Sequence, residues 1–417
     1  MSTTRPEITP ETAAESPPVT APHRRGIPRG LQHDGPAFLS YGFRPFFLGA
    51  GVVAVAAMAL WIAAIVGGLP LGGDYGAVAW HAHEMLFGFG SAVLSGFLMT
   101  AIPNWTGQMP LAGRPLVILA SVWLAGRLAM LGIGVVGAPV AVAIDAVFLP
   151  LMAFVCGREL VAGRKWGDLK VLGGIGIVAL ANVWFHAEIL RTGAPGMSAR
   201  AAVAGYVLLI TIIGGWIIPS FTRNWLALRG ETRLPEAFNR QDGAAIIAGL
   251  VALVVWIVAP DGPAAVAAGL MGAAVIWWRL SRWRGGATWR ELLLLVLHVA
   301  FAFIGLGFFA IAAAAAGWLP GTAAMHVMMV GGIGGMMLAV MTRATRGHTG
   351  RAMTASRWTV ASYFCLFGAA LSRPAADLLG AAWLLDLAGG LWIMAFALFL
   401  AEYGPMLLFA RRATLRK

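Results

Sequence analysis

"AVAWHAHEMLFGFGSAVLSGFLMTAI", residues 77–102, runs for 26 residues with Glu84 as its only formally charged side chain. At ~1.5 Å per residue such a helix is ~39 Å long, enough to cross a hydrocarbon layer of ~30 Å. With no water there to bond N–H and C=O groups, a helix satisfies its backbone within the segment. The stretch therefore reads as a membrane span. His81, His83 and Glu84 are then ionisable groups set in hydrocarbon, where a cavity, a partner or a bound group normally offsets the cost. The whole chain agrees with this reading. It is 59% hydrophobic and 12% charged over 417 residues, with a mean hydropathy of +0.79, more apolar than a soluble core requires.

Hydropathy predicts an all-α polytopic membrane protein of twelve spans: about Phe46–Val66, Ala77–Ile102, Pro115–Val135, Val140–Leu160, Leu169–Leu190, Ala202–Phe221, Gly243–Val258, Ala264–Leu280, Leu292–Ala315, Thr322–Met341, Trp358–Ala376 and Leu378–Leu400. The net charge of +12 follows the alternation of loops. Placing the N-terminus in the cytoplasm puts all 30 Lys and Arg on that side except Arg127, Arg191, Arg200 and Arg373. Such a pattern is a topology signal, not a nucleic-acid site, and it predicts two cytoplasmic termini. Cys156 and Cys365 both fall in spans, and no CxxCH or paired CxxC occurs, which excludes covalent c-type haem and thiolate clusters. The first 36 residues, rich in Pro, Thr, Glu and Ala, read as a disordered cytoplasmic tail, leaving residues 37–417 as one transmembrane domain.

Three similar strings end the second, sixth and tenth spans: "GFLMTAIPNWTG", "GWIIPSFTRNWL" and "LAVMTRATRGHTG". Asn104-Trp105 recurs 120 residues on as Asn224-Trp225, and an offset of 243 carries Thr106-Gly107 onto Thr349-Gly350 and His83 onto His326. Such a period predicts three four-helix repeats, about 43–161, 169–280 and 290–411, related by rotation about the membrane normal. The twelve-helix core of the haem-copper oxidases is similar in this architecture, three arcs around a pseudo-threefold axis. The chain lacks their His-Pro-Glu-Val-Tyr signature, so the likeness is architectural and assigns no reaction.

Counted from their span ends, His83, His326 and His186 fall within ~6–9 Å of the outer surface, at a common depth. His81 and His83, two positions apart, point ~200° away from each other and suit two sites better than one. Asn182 lies one turn from His186 and could orient it. His298 reads as a deeper ligand or a proton-path residue, and His348 sits in the cytoplasmic "RGHTGR" turn. Each of these imidazoles also has an ordinary reading as a helix-to-helix hydrogen bond. Neutral imidazole suits iron and copper, and zinc with Glu84 is also admissible. Glu84 could support a ligand or deliver a proton, or simply pair with Arg127. Asp145 and Asp386 are single acids on separate helices. Arg44 reads as an anchor at the inner end of the first span, or as a partner for haem propionates.

The strings "FRPFFLGAG", "WHAHEMLFGFG", "GFLMTAIPNWTGQ" and "HVMMVGGIGGMMLAVMTRATRGHTGR" resemble the NnrS family of bacterial inner-membrane proteins, from about Tyr41 to the C-terminus. The resemblance implies twelve helices, bound haem b and copper, and a role in tolerance of nitric oxide. The family's histidine motifs match at His81, His83, His326 and His348. With residue positions and resemblance taken together, the expected site uses His81, His83, His326 and Arg44 to bind cofactor and Glu84 as a catalytic acid, with His81, His83, His186, His298, His326 and His348 as candidate metal ligands. A sharper hypothesis, beyond what the resemblance implies, is reduction of nitric oxide to nitrous oxide, with electrons from quinol or a redox protein. The alternative class is a non-catalytic transporter or haem- or copper-handling protein.

Overall fold

Apolar runs of this length have few ways to satisfy their backbone in hydrocarbon, and the computed structural model, which describes residues 35–411, contains helices and no strand among the described residues. In chain order they are α1 (Phe43–Gly67), α2 (Ala77–Thr106), α3 (Arg114–Leu131), α4 (Ala138–Ala162), α5 (Leu169–Thr192), α6 (Met197–Ala227), α7 (Arg240–Val258), α8 (Pro263–Ser281), α9 (Leu292–Ala315), α10 (Gly321–His348), α11 (Arg357–Leu379) and α12 (Trp383–Leu408). Each predicted span has its counterpart. Eleven are long and apolar enough to cross a membrane. The other, α11, is as long at 23 residues, but Arg373 and Asp377, paired at 2.8 Å, lower its hydropathy. One boundary is corrected: the last span does not start at Leu378, because Gly380 takes a left-handed conformation (φ 62°) and ends α11 there. The predicted N-terminal tail lies outside the described residues, save its last two.

Three helices form the middle of the bundle. α2, α6 and α10, the helices that end in the three similar strings, are the most enclosed, with 89%, 72% and 72% of their most apolar windows buried. α10 packs on both of the others, and the Tyr206 hydroxyl of α6 donates to the Leu86 carbonyl of α2 at 2.8 Å. The remaining helices wrap around them, and α1 packs on α12 where the two ends of the chain meet. Arg44, at the start of α1, donates to the carbonyls of Met406 and Leu407, both at 3.0 Å, and of Phe409 at 3.3 Å. A cation on the last carbonyls of α12 is the favourable end of that helix dipole.

α2 and α10 share a local irregularity. Directly after His83 and His326, each winds into a π turn, Glu84–Phe89 and Val327–Gly334. A π turn leaves carbonyls without their usual helical partner, and it recurs at functional sites. In α2 side chains take up the slack: Trp123 Nε1 donates to the Gly88 carbonyl at 3.1 Å and Tyr206 to that of Leu86. In α10 the turn is glycine-rich because α9 lies close: a Cβ on Gly331 would fall 2.1 Å from the Phe303 ring.

Candidate metal and cofactor centres

His81 and His83 leave α2 in different directions and enter two separate environments. His83 points into a closed cluster drawn from four helices: His83 and Glu84 of α2, Arg127 of α3, Asp145 of α4, and Asn182 and His186 of α5. Tyr75, in the turn before α2, completes it. None of the seven is more than 8% exposed.

Asp145 is the hub of this cluster. Its Oδ2 accepts from His83 Nε2 at 3.1 Å, His186 Nε2 at 3.0 Å and Asn182 Nδ2 at 3.0 Å, while Arg127 donates to its Oδ1. Arg127 also donates to Glu84 Oε1 at 2.6 Å. With carboxylates at both of its nitrogens, His83 can donate from each, so two cations, His83 and Arg127, face two anions in a neutral group. That balance is what low-dielectric burial demands.

The same atoms make a metal donor set. Among the described residues, His83, Asp145 and His186 bring their ligand atoms within 4.8 Å of one another. Both imidazoles aim Nε2 inward and are held from behind at Nδ1, His83 by Glu84 Oε1 at 3.1 Å and His186 by the Tyr75 hydroxyl at 3.1 Å. A partner on the far nitrogen is how ligating histidines are fixed in tautomer and orientation. Burial pushes the Tyr75 phenol above its ordinary pKa, with Asp145 and Glu84 adding to the shift, so it stays a neutral O–H. Two buried polar atoms here, Asn182 Oδ1 and Arg127 Nε, have no hydrogen-bond partner. Buried groups left so are uncommon, and of the two only the Asn182 oxygen could accept from or ligate a further group.

The cluster tolerates no added bulk. A Cβ on Gly88 would lie 2.6 Å from an Arg127 guanidinium nitrogen and 2.7 Å from Glu84 Oε2. Those ends are pinned by ion pairs, so Gly88→Ala is expected to destabilise by about 1–3 kcal/mol. Thermal unfolding in detergent checks this, and an unchanged midpoint would mean the Glu84–Arg127 pair is not held as described.

His81 faces a cavity of about 380 Å³ lined by residues of α1, α2, α6, α10, α11 and α12. Its ring stacks on Trp61 with centroids 4.6 Å apart, and its Nδ1 is buried without a hydrogen-bond partner. His326 lines the same cavity from α10 and donates from Nδ1 to the Thr322 carbonyl at 2.7 Å. In the neutral ring this leaves the lone pair on Nε2. The walls are otherwise mostly apolar, with Met85, Phe89, Met329 and Trp392 among them, and Arg373 and Asp386 supply charge. An apolar cleft with a few placed polar groups is the usual form of a cofactor site.

A sequence profile of the family described as "NnrS protein" matches residues 37–411. The chain belongs to the NnrS family. No curated protein matches it. Of the histidines matching the NnrS motifs, the fold thus gives His83 to the buried cluster and His81 and His326 to the cavity. It places the fourth, His348, on the opposite face, where its ring lies against Tyr41 and Phe43 at 5.5 and 5.6 Å. His298 is remote from both centres: its Nε2 meets Thr222 Oγ1 at 2.9 Å, and it packs against Gly285. Arg44 lines neither centre, being occupied at the end of α12. Glu84 turns away from the cavity and pairs with Arg127, so it lies behind His83 and not beside His81. Asp145, read from the sequence as a solitary acid, proves to be the most connected residue of the site. Arg373 stands out in the sequence only as a cation away from the cytoplasmic side, and Trp61, a tryptophan in an apolar run, carries no distinguishing local signal, so neither points to the cavity.

Proposed function

We propose that this NnrS protein holds haem b in the cavity through His81 and His326 and copper between His83, His186 and Asp145, and that it protects against nitric oxide by reducing it. Two NO take up two protons and two electrons and yield one N2O and one water. The observation that carries the reading is the division of one helical turn between two donor sets, His81 toward a cavity with an unpartnered nitrogen and His83 toward a buried triad. The donor chemistry fits: imidazole suits both iron and copper, and a single carboxylate with two imidazoles suits copper better than a hard cation. When bound, such groups supply one-electron chemistry and a place for NO to bind.

The protein's own residues then have separate tasks. Trp61 fixes the plane of the His81 ring, and the Thr322 carbonyl fixes the tautomer of His326. Arg373 offers a cation to haem propionates. Glu84 and Tyr75 position His83 and His186, while Arg127 balances the two carboxylates. Electrons come from quinol or a redox protein, for which the described residues contain no separate domain. We place the protein in the bacterial inner membrane with both termini cytoplasmic, in contact with lipid and not with nucleic acid. The cavity then opens outward, because Ile65, Pro195, Thr322 and Leu385 line it near the helix ends opposite the termini.

Anaerobic assay of the purified, reduced protein tests the reaction. NO consumption with N2O appearing at one per two NO is expected, falling at least tenfold in His81→Ala. Metal that exchanges freely and enters vesicles, with no NO turnover, would instead make it a metal-handling protein.

A further inference from the structure

A second hollow, open on one side, lies where the three central helices meet, and the mechanism above does not use it. It measures about 60 Å³ and is walled by Val93 of α2, Ile213 and Gly214 of α6, and Met336 of α10, among other apolar side chains. That is several times the ~10–15 Å³ that one water-sized guest requires. Yet water has no reason to stay. A buried water needs two to four polar partners, and the one polar side chain in the wall, Tyr206, already donates its hydroxyl to the Leu86 carbonyl. An ion, or the head of a quinol, is excluded on the same ground. Its lining is almost wholly apolar, so a small apolar guest is the kind it can hold, although it is open on the side of Phe97, Ile217 and Val340 and not sealed.

The void is continuous in lining with the histidine cavity. Tyr206 and Met337 are wall residues of both. On its other side it reaches Phe97, Ile217 and Val340, which are only partly buried, ~14 Å from the end of α2. It thus lies between mid-membrane and the cavity that holds His81 and His326, with the Tyr206 and Met337 side chains between the two.

We infer that this void is a gas site, a station through which nitric oxide passes between the bundle interior and the histidine cavity, with Tyr206 and Met337 as the shared wall. The identity of the gas rests on the proposed reduction of NO; the capacity for a small apolar guest rests on the void alone. NO is a neutral diatomic that dissolves readily in hydrocarbon, so an apolar route favours it over the protons, water and ions that the reaction must meter.

Xenon serves as the probe, on the purified full-length protein. A pressurised crystal, or xenon NMR in detergent, is expected to show a bound atom between Val93, Ile213 and Met336. Gly214→Leu should abolish it, because a Cβ there meets Ile218 and Phe301 only at 3.6–3.7 Å and the remaining methyls must enter the void. Val340→Phe fills the same space from α10 and guards against a folding defect in the first variant. Both variants should slow NO association with the reduced protein five- to tenfold while leaving its visible spectrum unchanged. No xenon in the void, an acyl chain occupying it, or NO association unaltered in variants that exclude xenon would overturn the inference. Xenon uptake by protein that never binds NO would instead overturn the reduction reading and NO as the guest, leaving the xenon result to decide the gas site by itself.

Discussion

Asp145→Ala is expected to cost the protein about 3–5 kcal/mol, the range for breaking a buried ion pair by removing one partner. The reason is the number of donors that converge on one carboxylate. Without it, Arg127 loses one of its two anions, and His83 Nε2, His186 Nε2 and Asn182 Nδ2 all lose their acceptor. None can turn to water, since the cluster is closed and its residues are at most 8% exposed. Asp145→Asn keeps an acceptor oxygen but removes the charge, so it should fall between wild type and alanine. The same substitution removes one of three metal donors, and copper content should drop with stability. Thermal unfolding in detergent alongside metal analysis separates the two effects. An Asp145→Ala protein as stable as wild type would show that the hub does not hold the four helices together.

The second large effect is a double dissociation between the two centres. His81→Ala and His326→Ala are each expected to lower haem per protein at least tenfold, read from the Soret band, while copper stays. His83→Ala and His186→Ala should release copper and leave the Soret band in place. Glu84→Gln probes the residue behind His83. It retains the side chain's size but weakens the support at Nδ1, and loss of such a partner typically costs ~10–100-fold in metal affinity. Loss of both cofactors together in every variant would mean that the two centres are one.

Much of this arrangement could be read from the residues, and what could not has a geometric cause. The opposed directions of His81 and His83 follow from helix geometry alone, because the 200° between positions two apart is local. The i−4 relation of Asn182 to His186 is local too, and both do reach Asp145. Depth, by contrast, gives no azimuth. His83, His186 and His326 were grouped by their distance from the outer surface, yet only the first two meet, with ring centroids 4.7 Å apart, while His326 turns toward the cavity of His81. The role of Asp145 was hidden because its partners stand 18, 37, 41 and 62 residues away on three other helices, and no spacing along the chain encodes that convergence. The π turns after His83 and His326 were equally silent: glycine-rich membrane helices usually signify close packing, and only the fold distinguishes a widened turn from a tight contact.

Anomalous X-ray scattering from crystals of the purified protein, collected at the iron and copper edges, tests the central claim most directly. An iron peak in the cavity beside His81 and His326, and a separate copper peak among His83, His186 and Asp145, is the predicted result. Both metals in one place, or either of them at His298 or His348, would contradict it.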